Sequence, residues 1–176
     1  MSVQAKRLDH FEEGIFSSIV RKVVAYQQQG REVFNLSVGT PDFHPPEQVM
    51  QVLSQAALKP ENYRYTLRDY PELRQAVAEY YLRRYGTAID GSTEVVAVHG
   101  TQEGMGHLGM ALCNPGDVVL LPNPGYPVFE AGAWLGEADL QFYPMTRENH
   151  FLPRLEAIPP ETWRRTKYIV TTYPSN

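Results

Sequence analysis

Residues 94–121 read EVVAVHGTQEGMGHLGMALCNPGDVVLL. The stretch begins with a β-branched apolar run, Glu94 to Val98, that closes on His99-Gly100 and passes straight into a helical pattern, Gln102 to Cys113. Asn114-Pro115-Gly116-Asp117 is a turn. Val118 to Leu121 is then a second run that is apolar at every position. A strand without polar alternation is covered on both faces, and strands separated by helices pair in parallel. The stretch therefore predicts a parallel sheet sandwiched between helices.

The pattern continues downstream. Tyr126 to Leu135 reads as helical, Leu140 to Tyr143 as a third strand and Tyr168 to Thr172 as a fourth. Leu152, Leu155 and Ile158 suggest a short helix inside the long connection from Thr146 to Thr166. Upstream, Ile15 to Tyr26 carries its apolar residues on one helical face and ends at Gly30. Val33 to Val38 alternates like a short strand and breaks at Gly39-Thr40-Pro41-Asp42. Pro46 opens a helix in which Val49, Val52, Leu53, Ala56 and Ala57 share a face. Lys59 to Tyr70 reads as an exposed connection. Asp69 and Glu72 resemble a capping box, with Pro71 in the first turn of a helix reaching about Tyr85. The predicted fold class is α/β: an incomplete three-layer sandwich with a mostly parallel sheet, preceded by an N-terminal arm and helix. Four strands would leave an open edge, which reads as an unfinished domain.

The 176 residues, 43% hydrophobic and 20% charged, describe a globular chain rather than a disordered one. A net charge of −4 gives no reason to expect nucleic acid or a membrane surface as partner. Met1 to Gly14 has no apolar core behind a basic end, and no apolar run approaches membrane-spanning length. One cysteine, Cys113, rules out an internal disulfide and reads as a small buried hydrophobe. The expected location is the cytoplasm. No metal-ligand spacing stands out.

Ligands of open α/β sheets bind outside the carboxyl ends of the strands. Three blocks fall there. Gly100-Thr101-Gln102-Glu103-Gly104 joins a strand to a helix; it is either an anion site built on free N–H groups or an ordinary cap supplied by Thr101. It is neither a Walker motif nor a dinucleotide fingerprint. Pro122-Asn123-Pro124-Gly125-Tyr126-Pro127-Val128-Phe129 presents Tyr126 rigidly at a helix start. There the ring could cover a planar heterocycle or simply pack, and Phe129 reads as packing. Thr171 to Asn176 delivers an amide to the same edge, where Asn176 could donate to a ligand oxygen or serve as a turn residue.

Taken together, from about Asn35 to Asn176, these blocks resemble the cofactor site of class I/II, fold-type I, pyridoxal-phosphate-dependent aminotransferases. The blend of Thr-Gln-Glu-Gly with Pro-Gly-Tyr-Pro-Val-Phe is most similar to the aspartate and LL-diaminopimelate aminotransferase branch. The resemblance implies that Gly100, Thr101 and Gln102 hold the phosphate of pyridoxal 5'-phosphate. It implies that Tyr126 stacks on the ring and that Asn176 bonds the ring's 3′-oxygen. Asn35 to Phe43 is similar to the family's NLSxGxPDF segment, which places Gly39 against the substrate carboxylate. Tyr63-Arg64-Tyr65-Thr66 before Pro71-Glu72-Leu73-Arg74 is similar to the segment whose tyrosine reaches the partner's phosphate. That pattern's glycine is absent and the spacing is one residue short, so Tyr65 is chosen and Tyr63 stays open. A homodimer follows from this role, with amino acids and 2-oxo acids as substrates. On the same resemblance, 1–45 is an N-terminal arm with a segment of the small domain, and 46–176 is the first part of the cofactor-binding large domain.

The family also requires a lysine that bonds the cofactor. Lys6, Lys22, Lys59 and Lys167 are the chain's four, and none has the family's position. The chain thus reads as an N-terminal portion carrying half a cofactor site, with no catalytic residue of its own, and is expected to be inactive alone. Alternatives are a C–S lyase or cyclopropane-forming synthase of the same fold, a non-catalytic fragment that binds a partner chain, and a nicotinamide-binding domain, which the missing glycine fingerprint disfavours.

Overall fold

The structure, a computed structural model, describes residues 3–11, 13–37 and 39–173. It divides into two compact units, one formed by residues 13–97 and one by 98–176 together with the first twelve residues.

The second unit is built on a three-stranded, all-parallel sheet in the order β2-β1-β3. The strands are β1 (Val118–Asn123), β2 (Asp139–Pro144) and β3 (Thr166–Ile169). The central strand β1 pairs with β2 from Val118↔Asp139 to Asn123↔Pro144. It pairs with β3 through Val119↔Tyr168 and Leu120↔Ile169 after an irregularity at Val118/Val119. Central placement explains the unbroken apolar run: Val118 to Leu121 are each at most 2% exposed. Val118 and Leu120 pack with Tyr143 and Met145 on one face. Val119 and Leu121 pack with Ala133 and Val170 on the other. Burying each such side chain is worth about 1.5–3 kcal/mol relative to leaving it in water.

Helices α4 (Thr101–Leu112) and α5 (Pro127–Leu135) follow in this unit. Met105, Cys113 and Phe129 pack against the Val119 cluster, so Phe129 is a packing residue, as its pattern suggests. The long connection carries two short 3-10 turns, Arg147–Asn149 and Leu155–Ala157, and a further helix, α6 (Pro160–Arg165). The last strand starts at Thr166 and stops at Ile169, earlier than the Tyr168–Thr172 reading. Arg165 fastens its entry by donating to the Gly116 carbonyl at 2.8 Å and pairing with Asp139 at 3.1 Å. The N-terminal 3-10 turn, Lys6–His10, lies on the end of α5: His10 stacks on Trp134 at 5.3 Å, and Arg7 pairs with Glu137 at 3.0 Å.

The first unit holds α1 (Ile15–Gln28), α2 (Glu47–Ala57) and α3 (Pro71–Tyr85). Two predicted strands do not form. Val33 to Ser37 is irregular, with Phe34 80% and Leu36 95% exposed. Glu94 to Val98 is likewise unpaired, with Val96 77% exposed. A strand is defined by its neighbour's hydrogen bonds, and neither run has one among the described residues. The capping box is also absent. Tyr70 is the N-cap of α3 and makes no side-chain cap, while the Asp69 carboxylate accepts the Ala97 N–H at 2.8 Å. Ala78 is the one hydrophobic residue of 13–97 buried among the described residues. No helix among the described residues is long and apolar enough to cross a membrane.

Candidate functional site

The turn after Val98 is where the backbone is most unusual. Gly100, the N-cap of α4, sits at φ +84°, ψ 144°, a conformation essentially restricted to glycine. Having no side chain, it leaves α4 without a side-chain cap. Thr101 lies inside the helix as its first residue, so it does not cap its own turn. Gly100's carbonyl accepts the Glu103 N–H at 3.1 Å. The N–H groups of Thr101 and Gln102 find no acceptor among the described residues, and both residues are exposed. Two free donors and the positive end of the helix dipole thus converge on one point. Glu103 is the opposing charge in this first turn, and it is turned back: its carboxylate accepts the His99 N–H at 2.6 Å. The sequence reading did not single out Glu103; a carboxylate at the third helical position is the signal it offers.

Tyr126 is the N-cap of α5 and is half-buried. Its ring meets Phe129 edge-on at 6.1 Å. The Asn123-Pro124 peptide is cis, and Gly125 is pressed on the Pro122 carbonyl, where a β-carbon would lie 2.6 Å from the oxygen. Only glycine fits that turn, which sets Tyr126 directly behind β1.

The two helix starts are brought to the same end of the unit by glycine packing. A β-carbon on Gly132 would strike the Met105 carbonyl, and one on Gly136 would stand 2.5 Å from the Gly109 carbonyl. The contacts advance by four residues along both helices, so α4 and α5 run parallel at backbone contact. Extending this register one turn back sets Thr101 level with Val128, two residues past Tyr126. Anion donors and aromatic ring therefore share the carboxyl end of β1, where ligands of parallel sheets bind. β3 leaves in the same direction, but Asn176 lies outside the described residues.

Gly39 and Tyr65 belong to the unit formed by 13–97. Gly39 is exposed, with open space where a β-carbon would be, and the neighbouring Asn35 side chain accepts the Ser37 N–H at 3.0 Å. Tyr65 is 91% exposed and its hydroxyl has no partner among the described residues. The Tyr63 hydroxyl instead donates to the Ala57 carbonyl at 2.6 Å. No cluster of metal ligands occurs among the described residues.

The profile of the family "Aminotransferase class I and II" matches residues 31–176. The LL-diaminopimelate aminotransferase of Moorella thermoacetica is 38% identical over 174 residues, 98% of this chain and 45% of that protein. The LL-diaminopimelate aminotransferase of Desulforudis audaxviator is 38% identical over 175 residues, 99% of this chain and 45% of its own. Among solved structures, apo-BacF of Bacillus subtilis superposes with a TM-score of 0.92 at 34% identity, over 100% of this chain and 45% of that one. The aspartate aminotransferase of Rhizobium meliloti does so with a TM-score of 0.87 at 27% identity, over 100% and 44%. The chain thus spans about half the length of the relatives it matches.

Proposed function

The chain belongs to the class I and II aminotransferases, and from that membership we propose that it supplies the cofactor-holding part of an enzyme that moves an amino group between an amino acid and a 2-oxo acid. The observation that carries this reading is the uncapped start of α4 at Gly100, level with Tyr126. In it, the N–H groups of Thr101 and Gln102 and the Thr101 hydroxyl hold the phosphate of pyridoxal 5'-phosphate. Tyr126 covers one face of the ring, and Asn176 donates to a ring oxygen. Gly39, lacking a side chain, lets the substrate's carboxylate approach. Tyr65, whose hydroxyl is unengaged, serves the site of a second copy in a two-fold dimer. Bound there, the cofactor supplies an electron sink for the substrate's α-carbon.

The donor set fits a phosphate because it offers N–H groups without competing acceptors, and because Glu103 is held at His99. The experiment is a titration of the purified chain with pyridoxal phosphate and with pyridoxal, followed by absorbance and by the phosphorus resonance. Pyridoxal phosphate should bind about tenfold or more tighter, since charge-assisted bonds to the phosphate are each worth about 1.5–3 kcal/mol. Thr101→Ala should narrow that gap, and Tyr126→Ala should weaken both ligands while Tyr126→Phe spares them. Equal affinities with an unmoved phosphorus resonance would remove the phosphate assignment.

A further inference from the structure

The two faces of the sheet are covered unequally. Helices α4 and α5 close the face that carries Val119 and Leu121. The opposite face, built on Leu120 and Tyr143, is met by Ile158 and Ile169. Between the edge strand β2 and the segment 154–162 a cleft of about 370 Å³ remains. Its floor and walls are apolar: Leu120, Tyr143, Phe142, Pro144 and Ile158. Leu120 and Tyr143 are each 2% exposed, so the floor belongs to the rigid core rather than to a mobile surface. The Tyr143 hydroxyl does not reach for a ligand, because it already donates to the Val170 carbonyl.

Three polar residues border this apolar space: Arg154, Gln141 and Thr162. The Thr162 carbonyl accepts the Thr166 hydroxyl at 2.8 Å, and the Thr162 hydroxyl has no partner among the described residues. The Arg154 carbonyl accepts the Ala157 N–H at 3.1 Å, and its side chain makes no hydrogen bond or close ion pair among the described residues, its charge reaching the Glu148 carboxyl without contact. The side chains of Arg7, Arg21 and Arg165 are each paired with a carboxylate. Arg154 sets a guanidinium with no carboxylate in contact at the border of an apolar cleft. Its planar fork matches a carboxylate.

We propose that this cleft binds a small monocarboxylate with a short apolar tail, the carboxylate on Arg154 and the tail over Leu120, Tyr143 and Ile158. The volume lies at the small end of the range for ligand sites, about 300–1,000 Å³. An amine of the same tail would set its charge against Arg154. A neutral alcohol would gain the apolar contact alone. None of Gly100, Thr101, Gln102 and Tyr126 lines the cleft, so this site does not depend on the cofactor reading.

The probe is hexanoate, compared with hexylamine and hexan-1-ol, titrated into the 176-residue chain with methyl-labelled isoleucine and leucine and followed by NMR. Saturable shifts at Ile158 and Leu120 are expected with hexanoate, weaker ones with hexan-1-ol and none with hexylamine. Arg154→Gln should lower hexanoate affinity about tenfold, the worth of a lost charge-assisted bond, and leave hexan-1-ol unchanged. Arg154 is exposed, so this variant leaves the core intact. Ile158→Trp, which fills the cleft, should abolish both. Equal binding of hexanoate and hexylamine would overturn the proposal. So would undiminished hexanoate binding by Arg154→Gln, or shifts confined to residues outside the cleft.

Discussion

The carbonyl oxygen of Gly132 lies where a β-carbon on Gly109 would stand, so α4 and α5 meet backbone to backbone. This contact fixes the level of one helix start against the other, and with it the placing of Gly100 beside Tyr126. The candidate site is therefore held by a packing relation about two helical turns away from the groups that would touch a ligand.

Gly132→Val should destabilise the chain by about 1–3 kcal/mol or more, because the added atoms meet backbone that cannot rotate aside. Gly106→Ala is the matched control. It lies on the facing helix α4, a β-carbon there meets nothing within 4 Å, and alanine should be neutral or stabilise by about 0.5–1 kcal/mol. Denaturant melts of the two variants separate the cases, and a Gly132→Val variant as stable as the parent would show that the helices do not meet as described.

Asp69 ties the stretch before α3 to Ala97, 28 residues further along. Asp69→Ala should speed hydrogen exchange at the Ala97 amide by about tenfold, the worth of a charge-assisted bond, while Asp69→Asn keeps an acceptor and should do less. If exchange at Ala97 is unchanged in Asp69→Ala, the carboxylate caps its own helix after all.

Asp69 also illustrates what the sequence could and could not reveal. Its spacing to Glu72 is that of a capping box, and local spacing carries no information about a partner beyond the helix. The same limit explains Val33–Ser37 and Glu94–Val98, whose composition is that of strands but which no neighbouring strand pairs among the described residues. Val118–Leu121 was legible because burial on both faces leaves a mark at every position. Leu140 to Tyr143 was legible as a strand beside it. Helix α6 was missed because Trp163 is the only large apolar residue among its six, too little for a period. The glycines and prolines around Gly100 and Tyr126 marked the candidate site. Its assembly rests on Gly109, Gly132 and Gly136, which read in sequence merely as small residues within helices.

Cys113 and Asp117 shift in opposite directions. Burial, and then the Asp117 charge, push the Cys113 thiol up. The Asn114 N–H above all, with Lys167, holds the Asp117 carboxyl below its ordinary value. For Asp117 the folded-state value is the lower one. Its contribution to stability is therefore present above the unfolded value of about 3.9 and is lost as pH falls through the folded value. Asp117→Asn should flatten that acid limb. It should also move the alkylation midpoint of Cys113 downward, from a parent value above the ordinary thiol value of about 8.5. A parent midpoint at or below that value would contradict the burial of Cys113.

The firmest expectation is that the 176-residue chain does not transaminate, and the reason lies in where its lysines stand. Lys167 is in β3 and pairs with Asp117 at 3.5 Å, which places it at the amino ends of β3 and β1. Six-residue β1 separates that end from the loop carrying Tyr126 by about 17–20 Å at about 3.3 Å per residue. Lys6 borders the cleft of His10, Trp134 and Glu137 at the far end of α5, about 13 Å along a nine-residue helix from Tyr126. Neither side chain reaches the ring that Tyr126 would cover. Lys22 and Lys59 are exposed residues of the other unit, Lys22 within α1 and Lys59 just past the end of α2. Without a lysine at the ring, a cofactor bound as proposed would be held only by its phosphate, by stacking and by Asn176, and none of the four lysines would be placed to move the substrate's α-proton. Incubating the chain with pyridoxal phosphate, reducing with borohydride and mapping the modified lysines by mass spectrometry tests this directly. Sub-stoichiometric label scattered over Lys6, Lys22, Lys59 and Lys167, with no turnover of any amino acid, is the expected result. One stoichiometric adduct accompanied by amino-acid-dependent turnover would mean that one of these four lysines reaches the ring in solution, and the expectation would be wrong.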